Sequence, residues 1–378
     1  MVNFIRKHIA FLIMCTVLLI MIFALALLLV IKSIPELAEL WTRTFARWYI
    51  MAFGRFNENM DFSWTEVSFI IVIISLVIYL AWGFSLLGNK RPWDFIHRVM
   101  MIVMVITGTI TMYTATAGIA YNRAPLVLDR YEGEIKKEDF LDIATYFVED
   151  YNACAEQIKF DEKGEVILPY GKNHLIEEIR LEYDRLNDPY YSPYTGKAKA
   201  LGTSGLFTSV GIVGLFFSVL GEANYNTYAT NAELPFYIAH ELAHSKGVMR
   251  EDDAQLVATY ICLTSENPIL RYSGYLNTFD RILEIASYTD NPDDYKTLKN
   301  QISDKIYTNY RYINEHWKGK MFLYDFGNQI NDWYLKSFGQ KEGTKSYDDT
   351  PTEIDEGGSV ISLSNYQKIY FKIYYDHK

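Results

Sequence analysis

The sequence predicts an α-helical transmembrane region at the N-terminus, followed by a mainly α (α+β) domain outside the hydrocarbon. Two observations predict this division. Three apolar runs without a charged residue lie within the first 121 residues. The chain beyond them is rich in charge and shows helical periodicity over much of its length. We expect the membrane region to cover residues 1–122 and the second domain residues 123–378.

The three apolar runs are at about 9–31, 67–88 and 99–121. Each is close to the ~20 residues that a helix needs to cross ~30 Å of hydrocarbon. The first run follows Arg6 and Lys7 and could be a signal peptide, but its apolar stretch is longer than a typical signal-peptide core. The sequence therefore predicts three retained membrane helices.

Lysine and arginine indicate the orientation of these helices. Basic residues predominate in the N-terminal stub and in the short second loop, which holds Lys90, Arg91 and Arg98. Such segments usually stay in the cytoplasm. The first loop instead mixes basic residues with acidic ones and leans outward. The first 120 residues hold 9 basic and 6 acidic residues, which leaves 27 basic and 40 acidic residues beyond them. We expect a multi-pass protein of the cell membrane, in contact with the lipid bilayer, with a cytoplasmic N-terminus and an extracytoplasmic C-terminal domain.

Composition excludes several classes of protein. With 50% hydrophobic and 22% charged residues, the chain is not disordered. Its three cysteines form no CxxC pair, which excludes a cysteine zinc ribbon and a disulfide-rich scaffold. The net charge of −10 gives no reason to expect a nucleic-acid partner.

Helical periodicity in the second domain covers residues 136–160 and, with breaks, residues 235–338. The remaining segments are expected to be non-helical: a buried strand in 208–220, an edge strand or a turn at 221–226, a loop at 339–365 and an aromatic strand at 366–375.

The residues that point to chemistry are His240, Glu241 and His244, which form an HExxH pentad. Pro235 and Gly247 mark the expected ends of a helix around it. Residues four apart lie on one helical face, so both imidazoles can reach one metal ion, and the glutamate can act as general base on a water. The alternative is two histidines on a partly buried helix, with the glutamate as a surface charge.

A zinc site of this kind needs a third protein ligand and one open position. Glu251, Asp252 and Asp253 follow the glycine bend and open the next predicted helix. These acids could simply complement the helix dipole. Glu251 shares a face with small residues that allow close approach to the HExxH helix, which favours it as ligand, with Asp252 and Asp253 as alternatives.

Further along the chain, Arg271 and Tyr272 are candidates for stabilising a tetrahedral oxyanion. A guanidinium or a tyrosine hydroxyl can donate hydrogen bonds to the negative charge that develops there. Because the chain contains 30 tyrosines, a structural role is the alternative.

HELAH together with Glu251 and Ala254 resembles the HExxH…ExxA pattern of gluzincin metallopeptidases, including HtpX-like membrane proteases. The gap between the ligands is shorter here, and Gln255 stands where those enzymes usually carry aspartate. The resemblance implies a zincin-like metallopeptidase domain with Zn²⁺ as cofactor.

More of the chain resembles an uncharacterised family of bacterial three-span membrane proteins. The blocks that carry this resemblance are FSWTEV (62–67), YNRAP (121–125), GEANYN (221–226), LPFYIAHELAHSKGVMRED (234–252), RYSGY (271–275) and NDWYLKSFGQKEGTKSY (331–347). The resemblance implies the membrane topology and a zincin-like site, but no substrate.

The sequence thus predicts a membrane-anchored zinc metallopeptidase that acts on an unknown protein or peptide substrate. Zn²⁺ would be held by His240, His244 and Glu251, with Glu241 as base. Two alternatives remain open: a catalytically inactive sensor or binding module, and a metal-dependent amidase that acts on cell-envelope material.

Overall fold

A computed structural model describes residues 2–89, 91–124, 126, 128, 139–289, 291–337, 340, 343–347, 352–356 and 359–377. The chain separates into two compact units. The first consists of Met1–Ala124 together with Phe217–Glu222, and the second of Pro125–Phe216 together with Ala223–Lys378. The six residues 217–222 were not expected to belong with the N-terminal helices.

The first unit is helical in the part of it that the structure describes. Its helices are α1 (Val2–Ser33), α2 (Pro35–Trp41), α3 (Arg47–Asn57), α4 (Trp64–Gly88) and α5 (Pro92–Tyr113), with π-helical turns at Thr42–Ala46 and Thr114–Gly118 and a 3₁₀ turn at Ala120–Asn122. Three stretches are long and apolar enough to cross a membrane: His8–Ser33, Trp64–Leu86 and Pro92–Asn122. They coincide with the three predicted apolar runs.

The turn 217–222 is held within the first unit by hydrogen bonds. The Tyr49 hydroxyl donates to the Val219 carbonyl at 2.9 Å. The Glu222 carboxylate accepts from the Trp64 and Thr65 amides at 3.2 and 2.9 Å. It thereby satisfies free N–H groups at the first turn of α4, where negative charge is favoured.

The second unit is mainly helical with short strands. Its helices are α6 (Phe140–Gln157), α7 (Lys172–Asp184), α8 (Ser204–Ser209), α9 (Leu234–Ser245), α10 (Glu251–Leu263), α11 (Pro268–Ala286), α12 (Asp294–Asn300), α13 (Asp304–Trp317), α14 (Tyr324–Ser337) and α15 (Asn365–His377), with a 3₁₀ turn at Gly343–Tyr347. Its strands are β1 (Lys159–Phe160), β2 (Val166–Ile167), β3 (Lys199–Leu201), β4 (Gly214–Phe217), β5 (Glu222–Asn226), β6 (Thr352–Glu356) and β7 (Ser359–Leu363). The last residue of β4 and the first of β5 fall in the first unit.

The three-stranded sheet has the order β3-β5-β4, and β3 and β5 run parallel. β4 and β5 are joined by residues 218–221 alone. A connection this short joins antiparallel neighbours, so the two strands form a hairpin. The segment 221–226, expected as an edge strand or a turn, therefore supplies the central strand, and β4 lies at an edge of the sheet that the structure describes.

Three expectations for the second unit need correction. Within 208–220 only residues 214–217 form a strand, this strand is half-buried rather than buried, and residues 208 and 209 belong to α8. The expected loop at 339–365 contains the antiparallel hairpin of β6 and β7. The expected strand at 366–375 lies in α15. The buried residues Ile369, Tyr370, Ile373 and Tyr374 recur at helical spacing, and this periodicity outweighs the strand preference of aromatic residues.

The core of the second unit is rich in aromatic rings. Tyr151 of α6 lies 5.1 Å from Tyr275 and 4.8 Å from Phe279 of α11, measured between ring centroids. Phe147 lies 5.0 Å from Tyr370 of α15. Helices α9 and α10 contact α11 and each other. This core fixes the two helices that carry the predicted metal ligands.

Candidate metal centre

Helix α9 places the two histidines of the pentad on one face. Pro235 lies in its first turn, where a missing N–H costs nothing. The helix ends before Gly247, whose φ of 90° is in the left-handed region. His240 and His244 are one turn apart, and their ring centroids are 4.9 Å from each other. The predicted helix and its ends are confirmed.

Glu251 is the first residue of α10 and lies against both imidazoles. Its Oε2 is 3.1 Å from His240 Nε2 and 3.6 Å from His244 Nε2. One donor atom from each of the three residues lies within 4.8 Å of the others. The three side chains are only 8–12% exposed. The glycine bend thus brings an acid to the two rings, as the sequence predicts.

Hydrogen bonds on the far side of each ring fix its orientation. His244 Nδ1 lies 2.7 Å from the Val248 carbonyl oxygen. His240 Nδ1 lies 3.2 Å from Gln255 Oε1, which is one turn beyond Glu251 on α10. Both acceptors favour a proton on Nδ1, and both Nε2 atoms face Glu251. Ligand histidines in metalloproteins usually have such outer partners.

Burial and the neighbouring side chains together set the pKa values of Glu251 and His244. Burial opposes ionisation of Glu251, but His244 and His240 hold the pKa of this carboxyl well below its usual range. Burial opposes protonation of His244, but Glu251 raises its pKa to about 9. His244 and Glu251 thus form a buried ion pair. A divalent cation that binds to these atoms competes with the proton.

Glu241 is buried beside this group, on the adjoining side of α9. Burial raises the pKa of Glu241 to about 7, although the neighbouring imidazoles lower it. A carboxyl group with a pKa near neutrality can both accept and release a proton. The alternative prediction, that Glu241 is a surface charge, is wrong because the residue is only 6% exposed.

Strand β4 lies against Glu241. A Cβ on Gly214 would come within 2.7 Å of Glu241 Cγ and 2.8 Å of Cδ. Glycine therefore lets the strand backbone approach the carboxylate closely. Two residues on, the Phe216 ring lies 5.9 Å from the His244 ring. Neither Gly214 nor Phe216 was predicted as part of the site, because this contact joins segments that are about 25 residues apart in sequence.

The donor set fits zinc. Catalytic zinc sites use three protein ligands, with distances of about 2.0–2.1 Å to histidine nitrogen and 2.0–2.2 Å to carboxylate oxygen. Two Nε2 atoms and one carboxylate oxygen that already lie within 4.8 Å of one another need only small movements to reach such distances. Among the described residues, His240, His244 and Glu251 form a group of side chains that could hold a metal ion.

A comparison with known protein families gives a match over most of the chain. Residues 41–352 match a family described as "Protein of unknown function (DUF3810)". The chain belongs to this family. The matched range begins after the first apolar helix and includes α4, α5 and every residue of the candidate metal centre. No curated protein matches the chain, and no solved structure matches it.

The two other acids after the glycine bend have different surroundings in this member of the DUF3810 family. Asp253 Oδ2 accepts a hydrogen bond from Arg250 Nε at 2.6 Å. The Oδ1 atom of Asp252 is buried without a hydrogen-bond partner among the described residues. Glu251 is the acid that the structure brings to the imidazoles, and Arg250 pairs with the Asp253 carboxylate.

Arg271 and Tyr272 have partners in the core rather than at the triad. The Tyr272 hydroxyl donates to Asn309 Oδ1 at 2.9 Å. Arg271 lies 3.4 Å from Cys154 Sγ, donates to the Ser265 carbonyl at 3.1 Å and pairs with Asp150. These contacts give both residues structural roles. The partners that the structure gives to Arg271 and Tyr272 lie outside the triad, and their predicted oxyanion role stays a prediction.

Proposed function

We propose that this protein is a membrane-anchored zinc metallopeptidase that hydrolyses peptide bonds. The observation that carries the proposal is the convergence of His240 Nε2, His244 Nε2 and Glu251 Oε2 beside the buried Glu241. Two imidazoles and one carboxylate are the donor set of several catalytic zinc sites. Bound zinc would polarise the scissile carbonyl and make a water molecule more acidic.

The protein residues then have separate tasks. His240 and His244 would hold the cation through Nε2, oriented by the Gln255 amide oxygen and the Val248 carbonyl. Glu241 would take a proton from the attacking water and later give it to the leaving amine. Its raised pKa suits both transfers.

Strand β4 supports a peptide as substrate. It lies at an edge of the described sheet, and its Gly214 is beside Glu241. An extended peptide can pair with an exposed strand edge through main-chain hydrogen bonds. Such binding would align a scissile bond along β4, next to the general base.

The apolar helices support the membrane anchor. Three helices long enough to cross a bilayer, together with the basic N-terminal stub and second loop, favour a cytoplasmic N-terminus. The second unit would then lie outside the cytoplasmic membrane. Cysteine variants at Lys90 and at the exposed Leu181, treated with a thiol reagent that cannot cross membranes, test this orientation: position 181 should react in whole cells and position 90 should not.

The function is tested by comparing purified wild type with Glu241→Gln. The variant should bind as much zinc per chain as wild type. Its activity on a mixed peptide library should be at least ~100-fold lower, since the amide cannot accept the proton. Glu182→Gln is the control, because Glu182 is also a buried carboxylate but pairs with Ser265 and Arg185. It should retain both zinc and activity.

The same experiment separates the alternatives. Zinc binding without peptide hydrolysis, but with amide cleavage in cell-wall fragments, would favour the amidase. A protein that takes up no zinc would favour the inactive sensor or binding module. Equal peptide turnover by wild type and Glu241→Gln would exclude Glu241 as the base.

A further inference from the structure

The connection between the first two apolar helices is itself helical, which the sequence reasoning did not anticipate. Helix α1 ends at Ser33, the chain is extended at Ile34 (φ −114°, ψ 108°), and α2 begins at Pro35. α2, the π-helical turn and α3 then continue without a break to Asn57. At about 1.5 Å per residue, this connecting helix (residues 35–57) is roughly 35 Å long.

One face of the connecting helix is covered by the first unit. Its buried residues include Ala38, Ile50 and Gly54. Trp41 Nε1 donates to the Ala115 carbonyl at 2.8 Å, and the Tyr49 hydroxyl donates to Val219. These contacts fix the rotation of the helix about its axis, so the direction of the opposite face is determined.

The opposite face is an exposed stripe without a charge. Its members recur every three or four residues: Leu37, Leu40, Thr44, Trp48, Ala52 and Phe56. Leu40, Trp48 and Phe56 are 60%, 59% and 61% exposed. The single π-helical turn keeps the four-residue spacing on one face. Large apolar side chains presented together in this way indicate a surface that binds an apolar partner.

Charges beside the stripe indicate what that partner is. Arg43, Arg47 and Arg55 lie along one flank at four-residue multiples, and the exposed Glu36 lies two turns before Arg43. Glu39 is shared between Arg43 and the buried Arg123. Burial, and then repulsion by Arg123 and Arg43, lowers the pKa of Arg47. An excess of guanidinium groups next to an apolar stripe complements lipid phosphates above acyl chains.

The chain connections point the same way. One residue separates the connecting helix from α1, and six residues separate it from α4. Consecutive membrane-crossing helices end and begin on the same side of a bilayer, so both ends of the connecting helix are tethered to one membrane surface. Short tethers at both ends hold the whole helix near the headgroups.

We propose that residues 35–57 form an in-plane amphipathic helix whose uncharged stripe inserts at the boundary between headgroups and acyl chains. The flanking arginines lie at the level of the lipid phosphates. Such helices typically bury their apolar face about 5–10 Å into this boundary. The partner is the bilayer itself, rather than a second copy of this chain or another protein.

Spin labels test the proposal. Cysteine is introduced singly at Leu40, Trp48 or Phe56, after replacement of the three native cysteines, and labelled with a nitroxide. The full chain is reconstituted in vesicles of phosphatidylcholine and phosphatidylglycerol at 3:1. Oxygen concentrates in lipid and a nickel chelate stays in water, so the ratio of their collision rates reports depth. Leu181→Cys is the control, because Leu181 is 60% exposed on α7 of the second unit.

The expected result is an oxygen-to-nickel ratio several-fold higher at positions 40, 48 and 56 than at 181. A ratio equal to that at 181 would place the stripe in water and overturn the proposal. Low accessibility to both reagents would show that protein covers the stripe, and would overturn it as well. The unaltered protein gives an independent check: a lipid with a photoactivatable acyl chain should label the peptide that contains residues 35–57.

Discussion

Each unit contains a carboxylate held between two basic side chains, and the two arrangements differ in their chemistry. In the first unit, Glu39 pairs with Arg43 and with Arg123, whose side chain is 1% exposed. In the second, Glu251 lies between His240 and His244. Arginine cannot release its proton in proteins, so the first arrangement can only be structural. Imidazole can exchange its proton for a metal ion, so the second can be functional.

The surroundings of the apolar side chains also differ between the two units. Few residues of the apolar stretches of the first unit are buried, whereas many apolar residues of the second unit form a buried core. A lipid environment fits the first pattern and water fits the second. Buried charge is costly in both units unless it is paired. In either unit, removal of one partner would therefore leave a charge without its counter-charge.

The largest effect is expected at Glu251. Glu251→Gln should weaken zinc binding by more than about 100-fold, since it removes the one charged ligand. Asp252→Asn is the matched control, because Asp252 is adjacent but lies outside the triad, and it should retain wild-type affinity. Zinc titration against a competing chelator measures both. Equal losses in the two variants would contradict the assignment of the third ligand.

A smaller effect is expected at Gly214. Gly214→Ala introduces a methyl group that Glu241 must move away from, and displacement of a base by about 1 Å can cost ~100-fold in rate. We expect peptide turnover to fall by about 10- to 100-fold while zinc content is unchanged. Gly205→Ala is the control, since its Cβ would meet only Tyr228 at 3.7–3.9 Å. Loss of zinc in Gly214→Ala would show instead that this part of β4 acts on the metal ligands rather than on Glu241.

Substitution of Gln255 should weaken zinc binding more modestly, because Gln255 acts by orienting the His240 ring. Gln255→Leu removes the acceptor at His240 Nδ1 and should lower zinc affinity by about 10-fold. Gln255→Glu, which restores an acceptor, should recover the affinity. If Gln255→Leu bound zinc as tightly as wild type, this would show that the amide does not orient the His240 ring.

The smallest effect is expected at the arginine-bound carboxylate. Burial opposes ionisation of Glu39, but Arg123 and Arg43 lower its pKa to about 2. A carboxyl group whose pKa is lowered in the folded state stabilises the protein fully at pH values above 4.5, the ordinary pKa of the group. This stabilisation is lost as the pH falls towards 2. Wild type should therefore melt roughly 2–4 °C above Glu39→Gln at pH 7.

This difference in melting temperature should narrow steadily below pH 4.5. Glu36→Gln serves as the control, because Glu36 is an exposed glutamate on the same helix. A difference that stayed constant between pH 7 and pH 3.5 would mean that Glu39 contributes through packing rather than through its charge.

Much of this architecture could be predicted because it depends on local patterns. The apolar runs can be recognised from hydropathy alone. The HExxH helix can be recognised from the four-residue spacing of its histidines and from the glycine bend that follows it. Glu251 could be ranked above its neighbours since small residues share its helical face. In each case the deciding residues lie within a few helical turns of one another.

The remaining features depend on contacts between distant segments. Gly214 meets Glu241, and the turn 217–222 joins the first unit, only once the chain has folded. Tyr272 was a reasonable oxyanion candidate from its position, but its partner is Asn309 in α13. The connecting helix was overlooked because its apolar residues face outward, which a pattern for a water-soluble helix does not anticipate.

The most direct test of the metal centre is X-ray absorption spectroscopy on the zinc-loaded full-length protein. The account predicts about one zinc per chain, with two imidazole nitrogens and carboxylate oxygen at roughly 2.0–2.2 Å, and loss of the imidazole signal in His240→Ala/His244→Ala. A chain that retains no zinc after exchange into chelator-free buffer, or a zinc shell without imidazole, would contradict it.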